Sequence, residues 1–100
     1  GVVISMIESQ APESSDDRLR QIEEKFNSYL GYILDGYFVA EYPQYKGRNI
    51  TIRFETSYPI EEPALEMFLA MLQFSKSQGL EFEVLDHTGP INLSGTENEN

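Results

Sequence analysis

The chain has 100 residues, of which 40% are apolar, and it carries a formal net charge of -10 with no cysteine. This length fits one domain with one core, and the apolar content excludes an intrinsically disordered chain despite the charge. The acidic balance disfavours nucleic acids and anionic membranes as partners, and the lack of cysteine excludes disulfides and thiolate metal sites. No apolar run approaches the length of a membrane span, and we expect a soluble cytoplasmic protein.

The first elements along the chain are a strand and an amphipathic helix. The run from Val2 to Ile7 is apolar and β-branched, which predicts a strand buried on both faces and therefore central in its sheet. An acidic loop follows, and Ser15 or Asp16 is the expected N-cap of the helix. Arg18 falls outside the apolar stripe of this helix. The stripe is predicted from residues that recur at three- and four-residue steps, namely Leu19, Ile22, Phe26, Leu30 and Ile33.

The end of the first helix has two readings. If the helix stops at Gly31, then Asp35-Gly36 becomes a hairpin turn and an additional strand appears before it. If it stops at Gly36, the apolar stripe continues in phase through Ile33, and we favour this longer helix. In both readings Tyr37 to Tyr42 is predicted to form a strand.

Two alternating strands flank a second helix. Asn49 to Thr56 and Leu80 to Leu85 alternate between apolar and polar residues, which predicts strands with one core face and one open face. Glu61 to Gly79 has Pro63 in its first turn and a glycine at its end, which predicts a helix. Between Ala64 and Phe74 this helix is apolar almost all round, which is more than the covering of one sheet face requires.

The predicted order of elements is strand, helix, strand, strand, helix, strand. This order predicts an α+β fold of the ferredoxin-like, split β-α-β type, in which two helices cover one face of a four-stranded antiparallel sheet. We expect one domain over residues 1–87 and a polar, acidic tail over residues 88–100 that is loosely docked or disordered. Gly1 stands in place of methionine, so we expect further residues upstream and assign Gly1 no role.

Three segments resemble the RraB-type inhibitors of ribonuclease E, which are small, acidic and similar in their order of elements. These segments are Leu30-Gly31-Tyr32 at the end of the first helix, the strand from Ile50 to Glu55, and the second helix running into Leu80 to Val84. The chain departs from that family where Glu83-Val84-Leu85-Asp86 stands in place of an aromatic Tyr-Asp-Gly-Trp signature. Membership of that family is therefore not inferred.

The sequence contains no pattern of a catalytic or metal centre. His87 is the only histidine, and no cysteine or serine-elbow motif accompanies it, so an exposed histidine at a strand end is the simplest interpretation. Adjacent carboxylates such as Asp16-Asp17 and Glu61-Glu62 lie at helix starts, where the helix dipole favours them. Calcium loops and nucleotide-binding glycine loops are also missing. We therefore expect no enzyme activity, no metal and no cofactor.

These observations predict a non-enzymatic, acidic protein-interaction module that regulates, inhibits or neutralises a basic protein. Acidic charge would speed association with such a partner, and exposed apolar residues would form the centre of the interface. The same surface could instead form a homodimer. The candidate interaction residues are Met67, Met71 and Phe74 on the second helix, and Glu81, Glu83 and Arg53 on the open sheet face.

The tyrosines support a second hypothesis, a small-molecule sensor or a small cofactor-free enzyme. All six lie between the first helix and the start of the second, and the ordinary interpretation is that most of them cover the edge of the core. In the alternative, Tyr32, Tyr37 and Tyr42 line a ligand cavity beside the open sheet face. An enclosed pocket with convergent polar groups would favour this alternative.

Overall fold

Four strands and three helices make up an α+β fold, which a computed structural model describes over residues 1–93. The elements are β1 (Val2–Glu8), α1 (Ser15–Leu34), α2 (Tyr37–Glu41), a 3-10 turn (Pro43–Tyr45), β2 (Ile50–Thr56), α3 (Glu62–Ser77), β3 (Glu81–Asp86) and β4 (Gly89–Pro90). None of the helices in residues 1–93 combines the length and the apolar character needed to cross a membrane.

The strands form one mixed sheet in the order β1-β2-β3-β4. β1 is parallel to β2, with Ile4 opposite Ile52, and β2 is parallel to β3, with Ile52 opposite Phe82. Only β4 is antiparallel to its neighbour. The prediction of a ferredoxin-like, four-stranded antiparallel sheet with two helices is therefore wrong.

The error comes from the segment Tyr37 to Tyr42, which was predicted to be a strand. Gly36 has a φ of 87°, ends α1 and allows α2 to begin in a new direction. Phe38 and Tyr42 then lie one helical turn apart, with ring centroids 5.5 Å from each other, and Phe38 is buried. Packing of these aromatic side chains outweighs their strand propensity. Because no strand lies between β1 and β2 in the chain, the two strands can run parallel.

β1 is an edge strand, so its predicted central position is also wrong. Met6 is buried in the core, whereas Val3 and Ile7 on the opposite face are 44% and 56% exposed. Continuous apolar runs are typical of strands buried on both faces, but here one half of the run faces solvent.

The two ends of α1 depend on local backbone chemistry. Ser14 is the N-cap and accepts a hydrogen bond from the Asp17 amide at 3.1 Å, so the predicted caps Ser15 and Asp16 are wrong by one and two positions. The helix continues through Gly31, and the Gly36 amide donates to the Ile33 carbonyl at 3.2 Å. The longer of the two predicted helices is confirmed.

α1 and α3 cover the same face of the sheet and enclose one core. Phe26 of α1 packs edge-to-face against Phe82 of β3, with ring centroids 5.5 Å apart. Phe68 of α3 lies 5.2 Å from Phe54 of β2. Ile52 and Phe54 of β2 are both buried, which confirms the core face predicted from the alternation of Asn49 to Thr56.

The expected acidic tail covers residues 88–100, of which residues 94–100 lie outside the described residues. In the described part, the Ile91 amide donates to the Val84 carbonyl at 2.9 Å, and Leu93 is buried in the core. The apolar core thus includes a residue that follows β4.

Candidate functional site

The three interaction candidates on α3 have different environments. Met71 is buried, at 6% exposure, and Met67 is half-buried against the core. Phe74 is 47% exposed and projects from the helix. Helical spacing explains the difference, because Met71 shares a face with the buried Phe68, whereas Phe74 lies outside that face. Of the three, only Phe74 offers substantial apolar surface.

Part of the apolar excess on α3 contacts the segment that follows β4. Leu65 and Leu69 share a groove of about 330 Å³ with Ile91 and Leu93. Leu69 and Ile91 also pack against the core. The sequence indicated no partner for this side of α3, because the segment after β4 was expected to be a loosely docked tail.

The open sheet face brings three of the predicted residues into one polar network. Arg53 Nε donates to Glu83 Oε2 at 2.5 Å, and its guanidinium lies 3.8 Å from Glu55 Oε2. Ser5 Oγ also donates to Glu55, at 3.1 Å. Glu81 lies in the same row and accepts a hydrogen bond from Thr51 Oγ1 at 3.0 Å. The face therefore carries three carboxylates and one guanidinium, and two of those carboxylates, of Glu55 and Glu83, contact the guanidinium.

The same face has an apolar border along β1. Val3 and Ile7 are exposed there, beside the polar row on β2. No element within residues 1–93 covers this face, because α1 and α3 both pack on the other side of the sheet. We call this surface the open sheet face; it comprises the outward residues of three strands, namely Val3, Ser5, Ile7, Thr51, Arg53, Glu55, Glu81, Glu83 and Leu85.

The carboxyl ends of the parallel strands form another groove, of about 410 Å³, at the position where open α/β sheets commonly bind ligands. Its carboxylates are already engaged. Glu8 accepts from Arg18 Nη2 at 2.9 Å and from Thr56 Oγ1 at 2.6 Å. Asp86 accepts from the Thr88 hydroxyl at 2.6 Å and from the Thr88 amide at 2.8 Å, and these bonds lower the pKa of the Asp86 carboxyl. The described residues contain no group of three or more potential metal ligands.

Arg18 is buried, at 5% exposure, so its predicted place outside the buried stripe of α1 is wrong. The signal was present in the spacing, because Arg18 precedes the buried residues Ile22 and Phe26 at successive four-residue steps. Arg18 was nevertheless placed outside the stripe because it is charged, and an unpaired guanidinium is costly to bury. The partner that makes burial possible, Glu8, comes from the preceding strand.

A third surface, the aromatic groove, lies at the free edge of β1. This groove of about 440 Å³ is formed by β1, the end of α1, α2 and the 3-10 turn. Tyr32 and Tyr42 of the predicted ligand residues line it, whereas Tyr37 does not and is 64% exposed. The complete lining is Val2, Val3, Ile4, Tyr29, Tyr32, Phe38, Tyr42 and Tyr45.

The rings of the aromatic groove hold one another in place. Phe38 stacks on Tyr45 with centroids 5.8 Å apart and an interplanar angle of 4°. Tyr42 lies 5.5 Å from Phe38 and 6.2 Å from Tyr45. Because Phe38 is buried, the two tyrosines are anchored to the core on one side and reach solvent on the other.

Two hydroxyl groups of the groove already have hydrogen-bond acceptors. Tyr32 donates to the carboxylate of Glu41 on α2, and this hydrogen bond to a negative group raises the pKa of Tyr32 to about 12. Tyr29 donates to the Ser5 carbonyl at 3.4 Å. The groove thus combines aromatic faces with one carboxylate at its rim.

Comparisons with known proteins place the chain in a family without assigning an activity. Searches of curated proteins and of solved structures found no match. A family model described as a family of unknown function (DUF6572) matches residues 1–87. Since the match covers most of the 100 residues, the chain belongs to this family.

Proposed function

We propose that the domain is a non-enzymatic protein-interaction module that binds a basic protein through its open sheet face. The observation that most supports this proposal is the composition of that face, where exposed Val3 and Ile7 lie beside three carboxylates and one guanidinium. The net charge of -10 also favours a basic partner. Such a module would regulate, inhibit or neutralise its partner.

The two components of the face have different roles in association. Excess acidic charge steers a basic partner toward the face and raises the association rate. Burial of the exposed parts of Val3 and Ile7 supplies the hydrophobic contribution, about 25 cal/mol for each Å² removed from water. Arg53 is held between Glu55 and Glu83 and therefore does not repel a basic partner as a free cation would.

Self-association by strand pairing has less support than binding of a foreign partner. The outward peptide groups of β1 belong to its odd-numbered residues, since the Val2 amide bonds to Asn49 on the β2 side. Tyr29 donates to the Ser5 carbonyl, and Lys25 Nζ donates to the Ile7 carbonyl at 3.3 Å. These two side chains occupy outward carbonyl groups of β1 that a strand from a second copy would need for pairing. Pairing of two open sheet faces would bring like charges together.

The small-molecule alternative also has less support. The volume of the aromatic groove suits a ligand. However, the hydroxyls of Tyr29 and Tyr32 donate to Ser5 and Glu41 and do not converge on a bound molecule.

We place the site of action in the cytoplasm, because a chain without cysteine suits a reducing compartment.

The test is affinity capture from host lysate over a range of salt, with matched variants. A double variant, Val3→Thr and Ile7→Thr, keeps β-branched side chains on β1 but removes apolar surface from the open sheet face. Leu34→Gln is the control, because Leu34 is 45% exposed on α1, which packs on the other side of the sheet.

The proposal expects one basic protein to bind the unaltered chain and the Leu34→Gln control, to elute as salt rises, and to be lost with the double variant. Recovery of the chain alone would contradict a foreign partner. Equal retention of the basic protein by the double variant would contradict the open sheet face as the binding surface.

A further inference from the structure

We propose that the aromatic groove is a binding site for an arginine side chain of the basic partner. The inference rests on the proposed function for the source of that arginine. The groove and the open sheet face are continuous, because Val3 is exposed on the face and also lines the groove. A partner that covers the face can therefore reach the groove with a neighbouring side chain.

The aromatic faces provide the first element of recognition. A cation is attracted by a ring when it lies within about 6 Å of the centroid. The centroids of Tyr42 and Tyr45 are 6.2 Å apart, so a cation above the space between them is within range of both. The rings need no rearrangement, because both pack against the buried Phe38.

Glu41 provides the second element of recognition. It directly precedes Tyr42 and is exposed at the end of α2. The Tyr32 hydroxyl donates to Glu41 Oε1, and a carboxylate has acceptor sites on both oxygens, so capacity remains for a second donor. A planar guanidinium can bond to a carboxylate and stack on a ring at the same time, which a lysine ammonium cannot do.

The surroundings also favour a side chain over a strand as the occupant. Val2 and Ile4 supply an apolar wall against which the methylene stem of an arginine can pack. Strand addition along β1 is hindered beyond Val3 by the contacts of Tyr29 and Lys25 with the strand carbonyls. Among the basic residues of this chain, the one nearest to the groove in sequence is Lys46, which follows Tyr45 and is exposed.

The proposal is tested by NMR titration of the full chain with a short peptide of alternating arginine and glycine. Matched peptides carry citrulline, which keeps the shape of arginine but not its charge, or lysine. The arginine peptide should shift the backbone amides of residues 37–42, 44–46 and Val3, the lysine peptide should bind more weakly, and the citrulline peptide should cause no shift.

Two variants and two controls make the test specific to the groove. Tyr42→Leu and Glu41→Gln should each weaken binding of the arginine peptide about two- to fivefold, the range expected of exposed cation–π and ionic contacts. Tyr37→Leu and Glu66→Gln should leave binding unchanged, because these exposed residues do not line the groove. A thermal melt of each variant confirms that it is folded.

Equal shifts with the arginine and citrulline peptides would overturn the proposal, as would shifts confined to the open sheet face or no shift at millimolar peptide. The captured partner separates this outcome from failure of the proposed function. One outcome is that the Val3→Thr/Ile7→Thr variant abolishes partner binding while the Tyr42→Leu and Glu41→Gln variants bind the partner normally. That result would support the interaction module and contradict the arginine site. If no basic protein is captured but the arginine peptide binds the groove, the site stands and the partner assignment falls.

Discussion

Arg18 and Glu8 form a two-point ion pair that fastens the first turn of α1 to the end of β1. Arg18 Nε lies 3.1 Å from Glu8 Oε2, and Arg18 Nη2 lies 2.9 Å from Glu8 Oε1. Thr56 at the end of β2 donates to the same carboxylate, and the Pro59 carbonyl accepts from the guanidinium. Four segments of the chain therefore meet at one charge pair, of which Arg18 is buried and Glu8 largely so.

Removal of one member of this pair should be strongly destabilising. Arg18→Met leaves the Glu8 carboxylate, whose side chain is 13% exposed, without its countercharge, and we expect the free energy of unfolding to fall by about 3 kcal/mol. Urea denaturation at neutral pH measures the loss. Arg20→Met is the control, because Arg20 is exposed and its ion pair with Asp17 should contribute about 1 kcal/mol or less.

The double variant Arg18→Met/Glu8→Leu tests the cause of that loss. If the cost comes from an unpaired charge, removal of both charges should recover most of the stability. A double variant that is as unstable as Arg18→Met would contradict this explanation.

Replacement of Ser75 by alanine should stabilise the fold. Its hydroxyl is fully buried on α3 and finds no hydrogen-bond partner among residues 1–93. Ser75→Ala removes the unsatisfied group and should raise the free energy of unfolding by about 1 kcal/mol. The control, Ser77→Ala, loses an exposed bond to the Phe74 carbonyl and should change stability little. A thermal melt of Ser75→Ala below that of the unaltered protein would count against this account.

Two glycines, one inside α1 and one just beyond its end, should respond to alanine in opposite directions. Gly31 lies inside the helix, and a Cβ there would meet its nearest atom, Asp35 Oδ2, at an ordinary 3.9 Å. Gly31→Ala should therefore stabilise the fold by about 0.5–1 kcal/mol. Gly36 has a φ of 87°, so Gly36→Ala should cost about 1 kcal/mol or more. Chemical denaturation of both variants measures the difference, and equal effects would contradict the assigned end of α1.

The hydrogen bond from Tyr32 to Glu41 should be visible in the ionisation of the phenol. The component of the phenolate absorbance that is lost in Tyr32→Phe should titrate at a pKa of about 12. Glu41→Gln removes the negative acceptor and should move that component toward the ordinary value of 10.0. Because folding raises this pKa, the contribution of the bond to stability is complete below pH 10 and is lost as the pH rises through 12. A component that is insensitive to Glu41→Gln would rule out the bond as the cause.

Two faces of α3 should respond differently to a glutamate substitution, the buried face with a large loss of stability and the exposed face with a small one. Met71→Glu places a carboxylate in the core and should destabilise the domain by several kcal/mol, on the order of 3 or more. Phe74→Glu affects a side chain that is 47% exposed and should leave a folded protein. Thermal melting and light scattering distinguish the two variants. Unfolding by both would place Phe74 in the core and contradict its exposure.

The sequence predicted the elements that depend on local signals. The extent of α1 follows from the phase of Ile33 and from Gly36, and both features lie within one or two helical turns of the boundary that they define. The strand β2 was predicted from its alternation of apolar and polar residues, and the helix α3 from Pro63 in its first turn and the glycine beyond its end. In each case the residues that specify the element are neighbours in the chain.

The features that were missed depend on distant partners. Tyr37 to Tyr42 looks like a strand until the packing of Phe38 between other rings is known, and this one change turns an antiparallel sheet into a largely parallel one. Burial of Arg18 could not be inferred without Glu8. The aromatic groove was anticipated only as a cluster of tyrosines, since its wall comes from β1.

The parallel pairing of β1 with β2 has a consequence for how the chain folds. The two strands are separated by all of α1 and α2, so no hairpin can join them, and a long loop must close before their ladder forms. Such non-local pairing slows folding relative to a helical domain of similar size. During synthesis, β1 has no strand partner until β2 has left the ribosome, and the exposed apolar residues of β1 are most vulnerable to aggregation in that interval.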